Sequence, residues 1–171
     1  MSENASSGFY RLVPLLVLAI AAHNFEEWLT FPHFGELSGA MGQKLGFEIK
    51  PKPWPIVQGA LVFVTVVPAL LLVLGRWGQK TWGAWLISWI ASIFLANVFI
   101  PHIPSMILFG GYAPGGITAV LVNFPLAVLV LVKAKKEELL TRFQVGLAVL
   151  AGVLSLPIAI QLAYAVAQVF D

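Results

Sequence analysis

Residues 12–31 read Leu-Val-Pro-Leu-Leu-Val-Leu-Ala-Ile-Ala-Ala-His-Asn-Phe-Glu-Glu-Trp-Leu-Thr-Phe, a run of membrane-spanning length with a histidine and two carboxylates in its second half. A carboxylate near mid-bilayer costs roughly 3 kcal/mol on insertion scales, while each Leu, Val, Ile or Phe gains about 0.5. The two acids therefore nearly cancel what the apolar side chains of the run contribute. Such a segment is stable in a membrane only inside a bundle that supplies partners for its polar groups. On a helix Glu26 and Glu27 follow His23 by three and four residues, so all three side chains project over adjoining turns of nearly one face. That face is the candidate site.

The rest of the chain has the composition such a bundle requires. Of its 171 residues 59% are hydrophobic and 11% charged, too few charges to coat a soluble globule of this size. The expected fold class is all-α: a polytopic membrane helix bundle forming a single domain over residues 1–171. Runs long enough to cross a hydrocarbon core of about 30 Å fall at 12–31, 55–75, 81–100, 115–132 and 143–168, which predicts five transmembrane helices. Arg11 followed by an apolar run and Ala19-Ile20-Ala21 imitates a signal peptide, but the apolar pattern resumes beyond those small residues, so the run is read as the first span. The connection 32–54 is long and rich in Pro and Gly, with a short interfacial helix expected over Glu36 to Leu45. The segment 101–114 holds Pro101, Pro104, Gly110, Gly111 and Pro114 among apolar residues and is expected to be broken or re-entrant, buried against protein.

Charge placement orients the bundle. With the N-terminus in the cytoplasm, Arg11, Arg76, Lys80, Lys133, Lys135, Lys136 and Arg142 fall on the cytoplasmic side and only Lys44, Lys50 and Lys52 on the other. The net charge of +2 is small and the basic residues sit at span ends, so membrane, and no nucleic acid, is the expected partner. The absence of cysteine excludes disulfides, thiolate ligands and a cysteine nucleophile. No phosphate loop or dinucleotide fingerprint is present, and Ser105 has no base and acid set of a serine hydrolase. In the same orientation His23, Glu26, Glu27, Asn97 and His102 reach one layer in the non-cytoplasmic half of the membrane, with His33 and Glu36 just beyond it.

The residues His23-Asn24-Phe25-Glu26-Glu27, placed in the first span, resemble the signature of the HXXEE-domain family of small integral membrane proteins. The likeness extends through Asn97, His102 and Tyr112-Ala113-Pro114-Gly115 to Thr118, covering roughly residues 12–130. What the resemblance implies is a membrane enzyme without a settled reaction, so the chemistry has to come from the residues.

Three chemistries fit them. His23 and Glu27 at i and i+4, with His102, could hold a divalent metal, zinc or iron, with Glu26, His33 or Glu36 as a further ligand. Three histidines are too few for the histidine-rich di-iron centres of membrane desaturases. Without a metal, two adjacent carboxyls in a dry site do not both ionise easily, and a protonated one beside a carboxylate–histidine pair could move protons during isomerisation, hydration or cyclisation of an olefinic, isoprenoid-like lipid. Glu-Glu followed by an aromatic also resembles the acidic motifs of small membrane lycopene cyclases. In the third, purely structural case the cluster only hydrogen-bonds Asn97 and the broken backbone at 101–114.

Trp28, next to Glu27, is expected to shield the carboxyl from water, and Tyr112 and Thr118 complete the candidate substrate-binding set. Trp82, Trp85 and Trp89 share a helical face and are expected to form a lipid-facing or interfacial stripe. In the last span Gly152, Ser155, Ala159, Ala163 and Ala167 form a small-residue strip suited either to close internal packing or to a homodimer. The function expected is that of a membrane enzyme, a hydrolase, isomerase or cyclase, acting on a hydrophobic or lipid-like small molecule through His23, Glu26, Glu27, Asn97 and His102. A small transporter or proton-coupled carrier is the alternative, and a membrane assembly subunit the third. The topology is open to direct test: single cysteines at Lys135 and Gln43 of this cysteine-free chain are expected to react with an impermeant reagent from opposite sides of the membrane, and labelling from one side would refute the common polar layer.

Overall fold

A computed structural model describes residues 8–34, 43, 46, 52–78 and 80–170. Among the described residues there is no strand, and five helices are long and apolar enough to cross a membrane: Tyr10–His33, Trp54–Trp77, Thr81–Leu108, Gly116–Lys136 and Arg142–Val169. The chain is an integral membrane protein. Glu36 and most of the expected interfacial helix lie outside the described residues.

The first span is α1 (Val13–Thr30), entered through a 3-10 turn at Tyr10–Leu12 and left through another at Phe31–Phe34. Pro14 lies in the first turn of α1, where its missing N–H costs nothing. The second span is α2 (Trp54–Trp77). The third begins as α3 (Lys80–Asn97), widens into a π turn at Val98–His102 and continues as α4 (Ile103–Leu108). The fourth begins with the short α5 (Gly116–Thr118), passes a second π turn at Ala119–Asn123 and continues as α6 (Phe124–Lys136). The fifth is α7 (Arg142–Val169), started by a reciprocal cap in which Thr141 Oγ1 accepts from the Gln144 backbone N–H and Gln144 Oε1 accepts from that of Thr141.

The expected break at 101–114 is therefore shorter than its prolines suggested. Pro101 has no N–H to donate and its ring would crowd the carbonyl four residues earlier in an α-helix, yet the third span runs through it because the π turn opens the helix at that point. Ser105 Oγ donates to the Pro101 carbonyl at 2.5 Å. Only residues 109–115 leave the helix, turning back through Gly110 and Gly115, both with positive φ.

α3 packs most extensively on α7, and α2 bridges α7, α3 and α1. The small-residue strip of α7 is used inside the chain: Gly152 and Ala163 are buried, and Trp89 Nε1 donates to Ser155 Oγ at 3.0 Å. Of the two uses expected for the strip, this is close packing within the chain. The tryptophan stripe is corrected in part. Trp82 is exposed, but Trp85 and Trp89 stack on each other and are half-buried against the core. Leu18, Leu70, Leu121, Ile158 and Leu162 are among the large apolar side chains exposed on the outside, as a lipid-facing surface requires.

The bundle has a basic end and an acidic-site end. At the basic end Arg76 Nη1 donates to the Tyr10 carbonyl at 2.6 Å, Glu137 accepts from the Phe9 N–H at 3.1 Å, and Lys133 pairs with Glu137 at 3.1 Å. Phe9, Tyr10, Leu16, Ile20, Leu72, Ile87 and Val130 seal this half with a dry apolar core. His23, Glu26 and Glu27 lie beyond that core, toward the other end.

A Cβ on Gly152 would come within 2.5 Å of Ser92 Cβ and 2.7 Å of the Ser92 carbonyl carbon, whereas one on Gly146 meets nothing within 4 Å. Gly152→Val is expected to cost at least about 1–3 kcal/mol of stability through overpacking, and Gly146→Ala to be neutral or favourable by up to about 1 kcal/mol. Thermal unfolding of the two variants in detergent checks the contrast, and equal midpoints would refute the α3–α7 contact.

Candidate functional site

The signature residues divide their work. His23 and Asn24 are buried, and the ring of His23 meets the fourth span, with Nδ1 3.0 Å from Thr118 Oγ1, while Nε2 lies 3.2 Å from Asn97 Nδ2. His102 Nε2 is 3.0 Å from the same Asn97 nitrogen. Glu27 Oε1 lies 3.7 Å from His23 Nε2 and 3.5 Å from His102 Nε2, contacts rather than hydrogen bonds. The two imidazoles meet edge to face, their centres 4.8 Å apart. One ligand atom each from His23, Glu27 and His102 falls within 4.8 Å of the others.

The π turn is what makes this convergence possible. Five residues along a regular α-helix rotate a side chain about 140° away from its start, which would send His102 away from Asn97. A turn widened to the i→i+5 pattern returns the fifth residue to nearly the same face, and Asn97 Nδ2 reaches His102 Nε2.

Glu26 points into a different set of partners. Its Oε2 accepts from the Thr118 N–H at 2.8 Å and the Thr118 hydroxyl at 2.5 Å, and its Oε1 accepts from Tyr112 OH at 2.7 Å and the Ile117 N–H at 3.3 Å. The carboxylate thereby satisfies free N–H groups at the start of the fourth span, where a negative charge is favoured. Tyr112 lies outside the spans, and burial, together with the Glu26 carboxylate it donates to, pushes its hydroxyl above the usual range. It stays a donor at neutral pH.

A cavity of about 270 Å³ lies between α1, α2, α3 and α7. Glu27, Asn24, Asn97 and Tyr164 bring polar groups to a wall otherwise built from apolar side chains such as Val57, Leu61, Ile90, Phe94 and Ile160. Glu27 keeps a fifth of its side-chain surface exposed, and this cavity is the space it lines.

The expected set is thus brought together only in part. His23, Glu27, His102 and Asn97 form one cluster, and Glu26, Thr118 and Tyr112 a second one joined to it through Thr118. His33 is exposed at the end of α1, apart from the group formed by the other two histidines. Trp28 does not cover Glu27: its ring meets that of Trp54 at 6.0 Å and lines a separate groove with Phe25, Leu61 and Thr65. Asn24, which sequence reasoning left without a role, donates to Thr65 Oγ1 at 2.8 Å and ties α1 to α2. Tyr164 was also missed, since a lone tyrosine in an apolar span carries no pattern. Among the other polar residues Thr65 and Ser92 bond to carbonyls of their own helices, while Ser88 Oγ and Asn123 Nδ2 are buried without a hydrogen-bond partner among the described residues.

The fold and this cluster define a small polytopic membrane protein with a His/Glu cluster between its helices. The profile of the family described as "Protein of unknown function with HXXEE motif" matches residues 14–130, and the chain belongs to that family. It is 24% identical over 151 residues to the uncharacterized protein YrkK of Bacillus subtilis (strain 168), an alignment covering 81% of this chain and 89% of that one. No solved structure matches.

Gly115 closes the cluster. It sits at φ +72°, and a Cβ there would come within 2.7 Å of Glu27 Cγ, 2.8 Å of His23 Cε1 and 2.9 Å of His102 Cε1. Gly110, at φ +69°, has nothing within 4 Å. Gly110→Ala is expected to cost only the left-handed backbone penalty of about 1–2 kcal/mol, and Gly115→Ala distinctly more, because three cluster residues must move. Matching unfolding midpoints for the two variants would refute the close seat of this turn on the site.

Proposed function

We propose that the protein is a membrane enzyme in which His23, His102 and Glu27 hold a divalent metal, zinc or iron, and that it acts on a hydrophobic or lipid-like small molecule entering from the bilayer. The observation that carries the proposal is the approach of two imidazole Nε2 atoms to one carboxylate oxygen beside an apolar cavity. Metal–ligand distances of about 2.0–2.2 Å around a tetrahedral centre separate neighbouring ligand atoms by ~3.4 Å. The 3.5 and 3.7 Å separations at Glu27 Oε1 are close to that edge. Two histidines and one glutamate are the ligand set of catalytic zinc hydrolases, and two histidines with a carboxylate also suit non-haem iron. A bound metal would supply Lewis-acid polarisation of a carbonyl or phosphoryl oxygen or activation of water.

The chain's own residues supply the rest. Burial excludes bulk water, Asn97 offers an amide beside both histidines, and Tyr164 places a hydroxyl-bearing ring on the cavity wall. The cavity is at the small end of ligand pockets, which run from about 300 Å³ upward, and accommodates a compact molecule or one end of a longer one. The apolar seal between the cluster and the basic end favours chemistry at a closed site over passage through the membrane, because a carrier needs polar groups along both halves of its path.

The purified chain is expected to carry roughly one equivalent of zinc or iron and to release a hydrophobic molecule on lipid extraction and mass spectrometry. Glu27→Gln keeps the volume of the side chain but removes its charge. It is expected to lose the metal and, with a turnover assay in hand, 10²- to 10⁴-fold in rate, with thermal stability equal to or higher than that of metal-free wild type. Unfolding of the variant with turnover per folded molecule retained would make the cluster structural and end the enzyme proposal.

A further inference from the structure

Hydrogen-bond geometry around the two histidines allows their protons to be counted. Thr118 has a single hydroxyl proton, and at 2.5 Å from Glu26 Oε2 that proton goes to the carboxylate, the stronger acceptor. Thr118 Oγ1 is then an acceptor toward His23 Nδ1 at 3.0 Å, so the His23 proton is on Nδ1. The Gly115 carbonyl hydrogen-bonds the same imidazole. Nε2 of His23 is left with a bare lone pair.

His102 follows the same rule by a different route. Its ring donates to the Pro114 carbonyl, while Nε2 faces Asn97 and Glu27, so its proton also sits on the outward nitrogen. The orientation of Asn97 agrees with this assignment. Its amide nitrogen carries two hydrogens and lies 3.2 Å from one Nε2 and 3.0 Å from the other. One NH₂ group can donate to both only if both Nε2 atoms are unprotonated. The acceptors that set the two rings, Pro114, Gly115 and Thr118, all belong to one turn, and Glu26 holds that turn through the Thr118 N–H, the Thr118 hydroxyl, the Ile117 N–H and Tyr112 OH.

We infer that Glu26 is a positioning residue and not a ligand: by anchoring the Pro114–Thr118 turn it directs both imidazole protons outward and leaves two Nε2 lone pairs facing Glu27. The two adjacent carboxylates of the signature thereby have separate tasks, one at the ligand cluster and one behind it. The inference deepens the proposed metal site and rests on His23 and His102 being its nitrogen ligands.

Nitrogen NMR of isotope-labelled histidine in the full chain reads the tautomers directly, and with three histidines in the sequence the exposed His33 serves as internal reference. Wild type is expected to show His23 and His102 protonated on Nδ1 and bare on Nε2. Glu26→Ala is expected to mix both tautomers and weaken zinc, measured by chelator competition, 10- to 100-fold, the usual loss on removing a group that orients a ligand. Glu26→Gln retains an acceptor oxygen for Thr118 and is expected to recover the wild-type tautomers, with zinc weakened less than tenfold, where Glu27→Gln abolishes binding. Loss of zinc in Glu26→Gln equal to that in Glu27→Gln would make Glu26 a ligand and overturn the inference. So would Nε2-protonated rings in wild type, or unchanged tautomers in a folded Glu26→Ala. If Glu26→Ala does not fold, the comparison of the two glutamine variants decides. Wild type with the assigned tautomers, disturbed by Glu26→Ala, but with no affinity for zinc or ferrous iron would uphold the anchoring by Glu26 and refute the metal in the proposed function.

Discussion

A carboxylate half-buried in a membrane bundle has to be given hydrogen-bond donors, and the structure is arranged around how that is done for Glu26. Its two oxygens accept from the Thr118 N–H and hydroxyl, the Ile117 N–H and Tyr112 OH. The beginning of the fourth span in turn needs acceptors for N–H groups that no preceding helical turn can satisfy. Each solves the other's problem, and the first and fourth spans are joined at the depth where the histidines lie. Left without these donors, the carboxylate would offset roughly half of what the apolar side chains of the first span contribute, about 3 kcal/mol.

The joint also determines what sits over the cluster. The turn from Ala113 to Thr118 crosses the His23, His102 and Glu27 side chains so closely that only glycine fits at position 115. It presents backbone carbonyls and one hydroxyl to the rings. A cover this close leaves no room on one side of the cluster, while Glu27 lines the cavity of about 270 Å³ on the other. The result is a cluster closed toward the turn and open toward apolar space.

Two π turns, at Val98–His102 and Ala119–Asn123, flank the site on the third and fourth spans. Each accompanies a proline, Pro101 within the first and Pro125 just after the second. A proline denies the helix one hydrogen bond and crowds the preceding turn; a widened turn accommodates both defects without ending the span. At the third span this accommodation has chemical value, because it brings Asn97 and His102 onto one face. The basic half of the bundle contains no such irregularity in α1, where Leu16 and Ile20 pack into a continuous dry core.

By itself the sequence determined the class of protein, the five spans and the special character of residues 23–27, since hydrophobic length and the cost of buried charge are local properties read directly from composition. It also set His102 and Asn97 level with His23, because position along a span follows from counting residues, and the three side chains do meet. What only the tertiary structure decided was the partition of roles within that layer. Glu26 and Glu27 are neighbours in the chain, yet a helix turns them about 100° apart, toward the fourth span in one case and a cavity in the other. His33 lies only ten residues beyond His23 but on an exposed end, and Trp28 faces Trp54 rather than the carboxyl beside it. The prolines and glycines of 101–114 announced the break that residues 109–115 make, but not that the helix widens at Pro101 before it, because a π turn leaves no periodic trace. Tyr164 and Asn24 gained their roles in the same way, from what stands opposite them, which no pattern within one span encodes.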